Sequence, residues 1–171
     1  MACCRAAAMN YFTAHYDSPL GGMTMVSEGH ALTALCFEET QSADRFADET
    51  SATTKLPVFE ETHRWLDLYF SGKKPDFLPP LAPKGTPFQQ RVWDILLTIP
   101  YGKTMSYGEV ARRISPTMSA QAIGGAVGRN PIGIIIPCHR VIGADGSLTG
   151  YASGLDRKRW LLELEGLCLF S

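Results

Sequence analysis

The segment SYGEVARRISPTMSAQAIGGAVG, Ser106–Gly128, reads as two short helices and a turn. Ser106 is suited to cap a helix over Tyr107–Ile114, and Glu109 completes a capping box with it. Ser115-Pro116-Thr117 breaks that helix, and a second follows from about Ser119 to Gly128. Helix, short turn, helix is the arrangement that places a second helix in a DNA groove, although many helical pairs in ordinary cores share it. The second helix is odd in content, because Gly124, Gly125 and Gly128 each disfavour helix by about 1 kcal/mol relative to alanine. Together with Ala120, Ala122 and Ala126 they leave almost no side-chain bulk. The backbone is therefore free to approach a neighbouring surface closely, either another helix or a nucleic-acid groove. A helix this smooth lacks the long polar side chains that read major-groove base edges, so a DNA contact through it is expected to be weakly sequence-specific.

Working outward, Thr86 is placed to cap a helix with Pro87 at its first position. Phe88, Val92, Ile95, Leu96 and Ile99 then recur at helical spacing up to Pro100, and Tyr101-Gly102-Lys103 turns the chain. Upstream, Pro75, Pro79, Pro80, Pro83 and Pro87 with Gly85 predict a linker without regular structure. Before it, Tyr11–Tyr16 and Met23–Val26 alternate as strands around the turn-rich Asp17–Gly22, Ala31–Phe37 reads as a third strand, and Phe59–Phe70 as an amphipathic helix ending at Ser71-Gly72. The expected fold is α+β: a small N-terminal α/β subdomain with antiparallel strands over residues 9–83, in a supporting role, and a mainly helical domain with a helix-turn-helix over residues 84–171.

Composition narrows the function. With 171 residues, 45% hydrophobic and 19% charged, the chain is of ordinary globular make-up, and no apolar run approaches the roughly 20 residues of a membrane span. Residues 1–8 (MACCRAAA) lack the apolar stretch of a secretory signal. Five cysteines at irregular spacings fit reduced cytoplasmic thiols better than disulfides, and Cys3-Cys4 has no nearby partner set for a metal. No cofactor or metal is expected. The net charge of −1 hides an asymmetry: 6 Lys/Arg against 11 Asp/Glu up to Pro83, and 10 against 6 beyond it. The basic second half is where a polyanion would dock, with a modest electrostatic contribution.

Ile132–Ile136 is a β-branched run that predicts a buried strand ending at Pro137. Cys138, His139 and Arg140 then form a polar island before Val141-Ile142-Gly143. A neighbouring imidazole raises the reactive thiolate fraction by taking the thiol proton. Neighbours in a strand point to opposite faces, so His139 serves Cys138 only through a local turn or a bridging water. On these two residues alone, an inert buried cysteine beside a structural histidine is the better fit.

Pro137-Cys138-His139-Arg140-Val141 resembles the active-site motif of the O6-alkylguanine-DNA alkyltransferases, the methylated-DNA protein-cysteine methyltransferases. Thr86-Pro87-Phe88-Gln89, Ile99-Pro100-Tyr101-Gly102, Ser106-Tyr107-Gly108, the Ala/Gly helix ending in Asn130-Pro131, Gly150-Tyr151, Trp160-Leu161-Leu162 and Glu165-Gly166 follow that family in order. The likeness is close over residues 84–166 and looser before them. It implies DNA repair by single-use, irreversible transfer of an alkyl group from O6-alkylguanine, and also O4-alkylthymine, in double-stranded DNA to Cys138. It further implies a relay of Cys138, a water, His139 and Glu165, with Asn130 ordering the site and Tyr107 donating a hydrogen bond to the departing guanine. The target base is rotated out of the duplex, at a cost of a few kcal/mol, into a pocket framed by Tyr151, Ala152, Ser153 and Lys158. Ala120, Gln121, Gly124, Gly125, Arg129 and Val141 complete the implied substrate and DNA contacts, with the small-residue helix in the minor groove. A monomer, cytoplasmic and without a membrane partner, is expected.

One departure stands out. Family members usually carry an arginine where this chain has Gln121, which lacks the charge and stacking plane that fill the gap left by a flipped base. Two rivals remain open: a protein that detects alkylated guanine without repairing it, against which Cys138 speaks, and a cysteine hydrolase, for which the sequence offers no evident oxyanion hole.

Overall fold

The structure is a computed structural model that describes residues 11–40, 50–53 and 55–168. Residues 1–8, with the Cys3-Cys4 pair, lie outside these. Strands β1 (Tyr11–Ser18) and β2 (Gly21–Ser27) form the expected hairpin over a two-residue turn, Pro19-Leu20, with Ser18 paired to Gly21. Strand β3 (Leu32–Phe37) pairs antiparallel with β2, while β4 (Thr50–Thr53) adds to β1 in parallel, giving the order β3-β2-β1-β4. Helix α1 (Pro57–Phe70) buries Phe59, Trp65, Leu66 and Tyr69, the face its periodicity marks as apolar.

The proline-rich stretch has no helix or strand before α2 and crosses to the sheet at one point, where Leu32 N–H donates to Pro80 O at 2.7 Å. Helix α2 (Pro87–Leu97) starts with Thr86 as N-cap and a full capping box with Gln89. Strand β5 (Met105–Ser106) leads into α3 (Tyr107–Ile114), whose capping box joins Ser106 and Glu109. Helix α4 (Ala120–Gly128) is capped by Ser119, whose hydroxyl accepts from Ala122 N–H at 3.2 Å. α4 has few side chains to hold it, and three account for its burial: Ile123, Ala126 and Val127. Burying the isoleucine alone stabilises by about 2 kcal/mol, and Trp93 of α2 donates its indole N–H to Ala126 O at 3.0 Å. These offset a large part of the glycine penalty. Strand β6 (Val141–Ile142) pairs in parallel with β5, and α5 (Leu155–Leu164) closes the described chain. No helix among the described residues is long and apolar enough to cross a membrane.

Ile132–Ile136 is not the strand its β-branched content predicts. Only Ile132 bridges β3, where Leu35 N–H donates to Pro131 O and Gly133 N–H to Leu35 O, both at 2.9 Å. The chain then winds up, with Ile136 N–H donating to Ile132 O at 3.2 Å and Ile134 at φ +67°. A left-handed isoleucine costs on the order of 1–3 kcal/mol and persists only where its surroundings fix it. Here the Asn130 side chain clamps both ends of the turn: its Oδ1 accepts from Ile132 N–H at 3.0 Å and its Nδ2 donates to Ile136 O at 2.8 Å. The four isoleucines are buried because they lie under the site, with β3 on one side, so burial rather than sheet pairing accounts for their apolar character.

Candidate active site around Cys138

Two short features bring the site together. The β5/β6 ladder pairs Met105 with Val141 and Ser106 with Ile142, so the start of α3, with Tyr107, is held beside the segment that follows Cys138. Pro137, at φ −83° and ψ 65°, ends the wound segment and starts one turn of 3-10 helix, Cys138–Arg140. Successive side chains in such a turn are rotated by roughly 120° instead of alternating across a strand, so Cys138 and His139 share a local turn.

His139 is fully buried, and its Nε2 lies 2.8 Å from Glu165 Oε1. A carboxylate only accepts, so Nε2 carries the proton and Nδ1 is left with a lone pair. Among the described residues Nδ1 is the only buried side-chain nitrogen or oxygen without a hydrogen-bond partner. Glu165, just past the end of α5, is the most heavily donated group in the site. Arg140 gives it Nε at 2.9 Å and an Nη at 2.9 Å, Tyr69 its hydroxyl at 2.8 Å, and Gly102 its N–H at 3.1 Å. Gly102 sits at φ +75°, and a Cβ there would stand 3.1 Å from the Glu165 carbonyl, so glycine is needed on both counts.

Burial pushes the Glu165 carboxyl up, but the hydrogen bonds from His139 and Arg140 outweigh it and bring its pKa down to about 2. Burial lowers the His139 pKa and wins over the raising effect of Glu165, which leaves a neutral imidazole. Burial also raises the Cys138 pKa, against the Asn130 amide, the Lys158 ammonium and the backbone N–H groups of Cys138 and His139. The resting site is thus a protonated thiol and a neutral base, a pair in which deprotonation accompanies attack.

Lys158 is fully buried, and its ammonium donates to the carbonyls of Val141 at 2.6 Å, Thr149 at 3.0 Å and Gly150 at 3.3 Å. Burial lowers its pKa to about 8. It straps the loop that carries Tyr151, Ala152 and Ser153 against the segment after Cys138. That loop, Asn130 and Cys138 line one pocket, whose far side is made by Met23, Cys36 and Phe37 of the N-terminal sheet. Tyr107 stands beside it, its hydroxyl donating to Thr149 O at 2.9 Å and its pKa raised chiefly by burial. The Val141 side chain is buried, and its carbonyl accepts from Lys158.

The remaining expected residues lie on α4 or, for Arg129, at its C-cap. Ala120, Gln121, Gly125 and Arg129 are exposed, and Gly124 is half-exposed. A Cβ built on Gly124, Gly125 or Gly128 meets no atom within 4 Å, so these glycines are not there to let another part of the protein approach. Of the two surfaces a smooth helix suits, the internal one is absent at these positions.

Tyr69 and Arg140 of the carboxylate cluster were not assigned a role by the sequence. Arg140 had a signal, since a guanidinium between two buried apolar segments requires an acceptor such as a carboxylate. Tyr69 had none beyond its place on an amphipathic helix, 70 residues from His139.

A helix-turn-helix thus stands in one fold with a buried thiol, an imidazole with one unpartnered nitrogen and an ion-paired carboxylate. Two family descriptions match the chain: "6-O-methylguanine DNA methyltransferase, DNA binding domain" over residues 87–167, and "6-O-methylguanine DNA methyltransferase, ribonuclease-like domain" over residues 11–83. The chain is 50% identical over 155 residues to the methylated-DNA–protein-cysteine methyltransferase of Mycobacterium bovis, covering 88% of this chain and 92% of that one. It is 45% identical over 157 residues to the protein of that name in Methanosarcina acetivorans, covering 92% and 99%. Among solved structures, Mycobacterium tuberculosis OGT in complex with DNA matches with a TM-score of 0.79 and 48% identity over 91% of this chain and 92% of that one. The chain belongs to the 6-O-methylguanine DNA methyltransferase family.

Proposed function

We propose that this protein is a methylated-DNA–protein-cysteine methyltransferase, which repairs DNA by moving an alkyl group from O6 of guanine onto Cys138. The observation that carries the reading is the orientation of His139: its Nε2–H is committed to Glu165 and its free Nδ1 is the base available to the thiol. In the reaction Nδ1 takes the thiol proton through a water, the sulfur attacks the alkyl carbon, and the carbon–oxygen bond breaks as charge develops on guanine. Glu165 stabilises the imidazolium that forms. Tyr107 supplies the hydrogen bond that meets the charge on the departing base. The product is a thioether with no carbonyl for water to attack, so each molecule acts once.

The lesion base enters the pocket lined by Asn130, Tyr151, Ala152 and Ser153 after rotating out of the duplex, and the open glycine face of α4 lies in the minor groove. Gln121, Ala120, Gly124, Gly125 and Arg129 are on the face that meets DNA. The chain divides into a supporting unit over residues 9–83 and an alkyltransferase unit over residues 84–171, a division supported by the two family descriptions meeting between residues 83 and 87. Cys36, Cys138 and Cys168 are free thiols, which suits a reducing compartment such as the cytoplasm. Mixing the protein with a duplex carrying labelled O6-methylguanine tests the reading. One equivalent of label becomes bound per protein and none turns over; repeated release of label, or none bound, contradicts it.

A further inference from the structure

The N-terminal unit was expected only to support the other, yet one of its side chains reaches the relay. Tyr69, on α1, is fully buried and touches both members of the pair that orients the base. Its hydroxyl donates to Glu165 Oε1 at 2.8 Å, and the same oxygen lies 3.3 Å from His139 Nε2. Because the hydroxyl hydrogen is committed to the carboxylate, a lone pair is left toward the Nε2–H, which is thereby shared between two acceptors. The ring is fixed for this task. It stacks on Trp65 with centroids 5.2 Å apart and meets Tyr101 edge-on at 6.0 Å and His139 edge-on at 6.3 Å. Tyr69 therefore has little freedom to turn away.

We propose that Tyr69 is a positioning residue of the relay, through which the N-terminal unit fixes the His139 tautomer and stabilises the imidazolium formed when Cys138 gives up its proton. The inference rests on the reading of Cys138 as the alkyl acceptor. The other groups facing His139 are Glu165, which favours the cation, and Arg140 and Lys158, which disfavour it, with Tyr101 packed over the Arg140 guanidinium. Against two cations, a second acceptor on Nε2–H matters. Losing it makes proton transfer from the thiol less favourable and raises the pH at which Cys138 becomes nucleophilic.

The test is the pH dependence of Cys138 alkylation by iodoacetamide, followed by peptide mass mapping so that the other cysteines are counted separately. Tyr69→Phe keeps the stacked ring and removes only the oxygen. The midpoint of the Cys138 profile is expected to rise by about one pH unit, which is roughly tenfold less reactive thiolate at neutral pH. A ring-fluorinated tyrosine at the same position keeps the hydroxyl with a poorer acceptor oxygen, and is expected to give a smaller shift in the same direction even if the phenylalanine variant does not fold. A profile unchanged or shifted downward in both variants overturns the proposal, as does a uniform loss of rate at every pH. In parallel, methyl transfer from O6-methylguanine duplex is measured on the wild-type protein. Failure there sinks the functional reading, whereas the iodoacetamide profile judges Tyr69 by itself.

Discussion

Replacing Glu165 by glutamine keeps the shape of the site and removes one negative charge from the place where four residues converge. In the native protein the carboxylate is fully buried and satisfies Arg140, His139, Tyr69 and the Gly102 N–H. The amide accepts through one oxygen only, and its NH2 group faces either the guanidinium or the imidazole N–H, both donors. Arg140, whose side chain is about one-tenth exposed, is left without its counter-ion. Breaking a buried ion pair from one side costs about 3–5 kcal/mol. A second route gives the same scale: a carboxyl held at a pKa of about 2 against an ordinary 4.5 corresponds to on the order of 3 kcal/mol at neutral pH. For a chain of this size that is a fall in Tm of roughly 6–20 °C. The assay is thermal and urea unfolding of wild type and Glu165→Gln at pH 7, alongside the rate of methyl transfer, which is expected to fall by at least about a hundredfold as general-base assistance is lost. A stability change below about 1 kcal/mol with near-native transfer would refute the claim that the cluster both holds the fold together and orients the base.

Acid should expose the same cluster. Glu165 and His139 both have folded pKa values below their unfolded ones, so each contributes stability that is present at neutral pH and lost as pH falls, for His139 from about 6.5 downward and for Glu165 from about 4.5 toward 2; urea midpoints that do not fall between pH 7 and pH 4 contradict these directions. Gly125→Leu separates docking from packing: the exposed position leaves the fold intact or slightly more stable, since leucine is the better helix former, while affinity for duplex DNA drops by about tenfold or more. Unchanged affinity would remove α4 from the interface. Gln121→Arg restores a planar cation to the tip of that helix, and repair of a lesion in duplex DNA should quicken while reaction with free O6-alkylguanine does not. No gain on duplex counts against a role for this position in base rotation.

What the sequence disclosed and what it hid follow from the range of the forces involved. Helix starts were legible because capping is local: Thr86, Ser106 and Ser119 each bind a backbone N–H within three residues of themselves. Three strands of the N-terminal sheet were legible from alternation and a turn-rich connection, whereas β4, which joins β1 in parallel across a long separation in sequence, was not read from it. Ile132–Ile136 misled because β-branched content reports burial as readily as strand, and here the Asn130 clamp and the Ile132–Leu35 bridge decide the backbone. Glu165 was nameable only through family likeness, since nothing in its own surroundings distinguishes it from a solvated residue at a helix end. Tyr69 was beyond either route. Its role depends on packing α1 against a turn 70 residues away, a contact set by the whole core.

Cys138 as the final holder of the alkyl group is the point on which the proposed function turns. Incubating the protein with duplex carrying O6-methylguanine, then digesting it and measuring peptide masses, tests this directly. The expected result is the gain of one methylene on the peptide containing Cys138, in proportion to lesion added, with native guanine recovered in the DNA and no such gain in Cys138→Ala. An unmodified Cys138 peptide in a protein that has cleared the lesion, or a methylene found on Cys36 or Cys168, would contradict it.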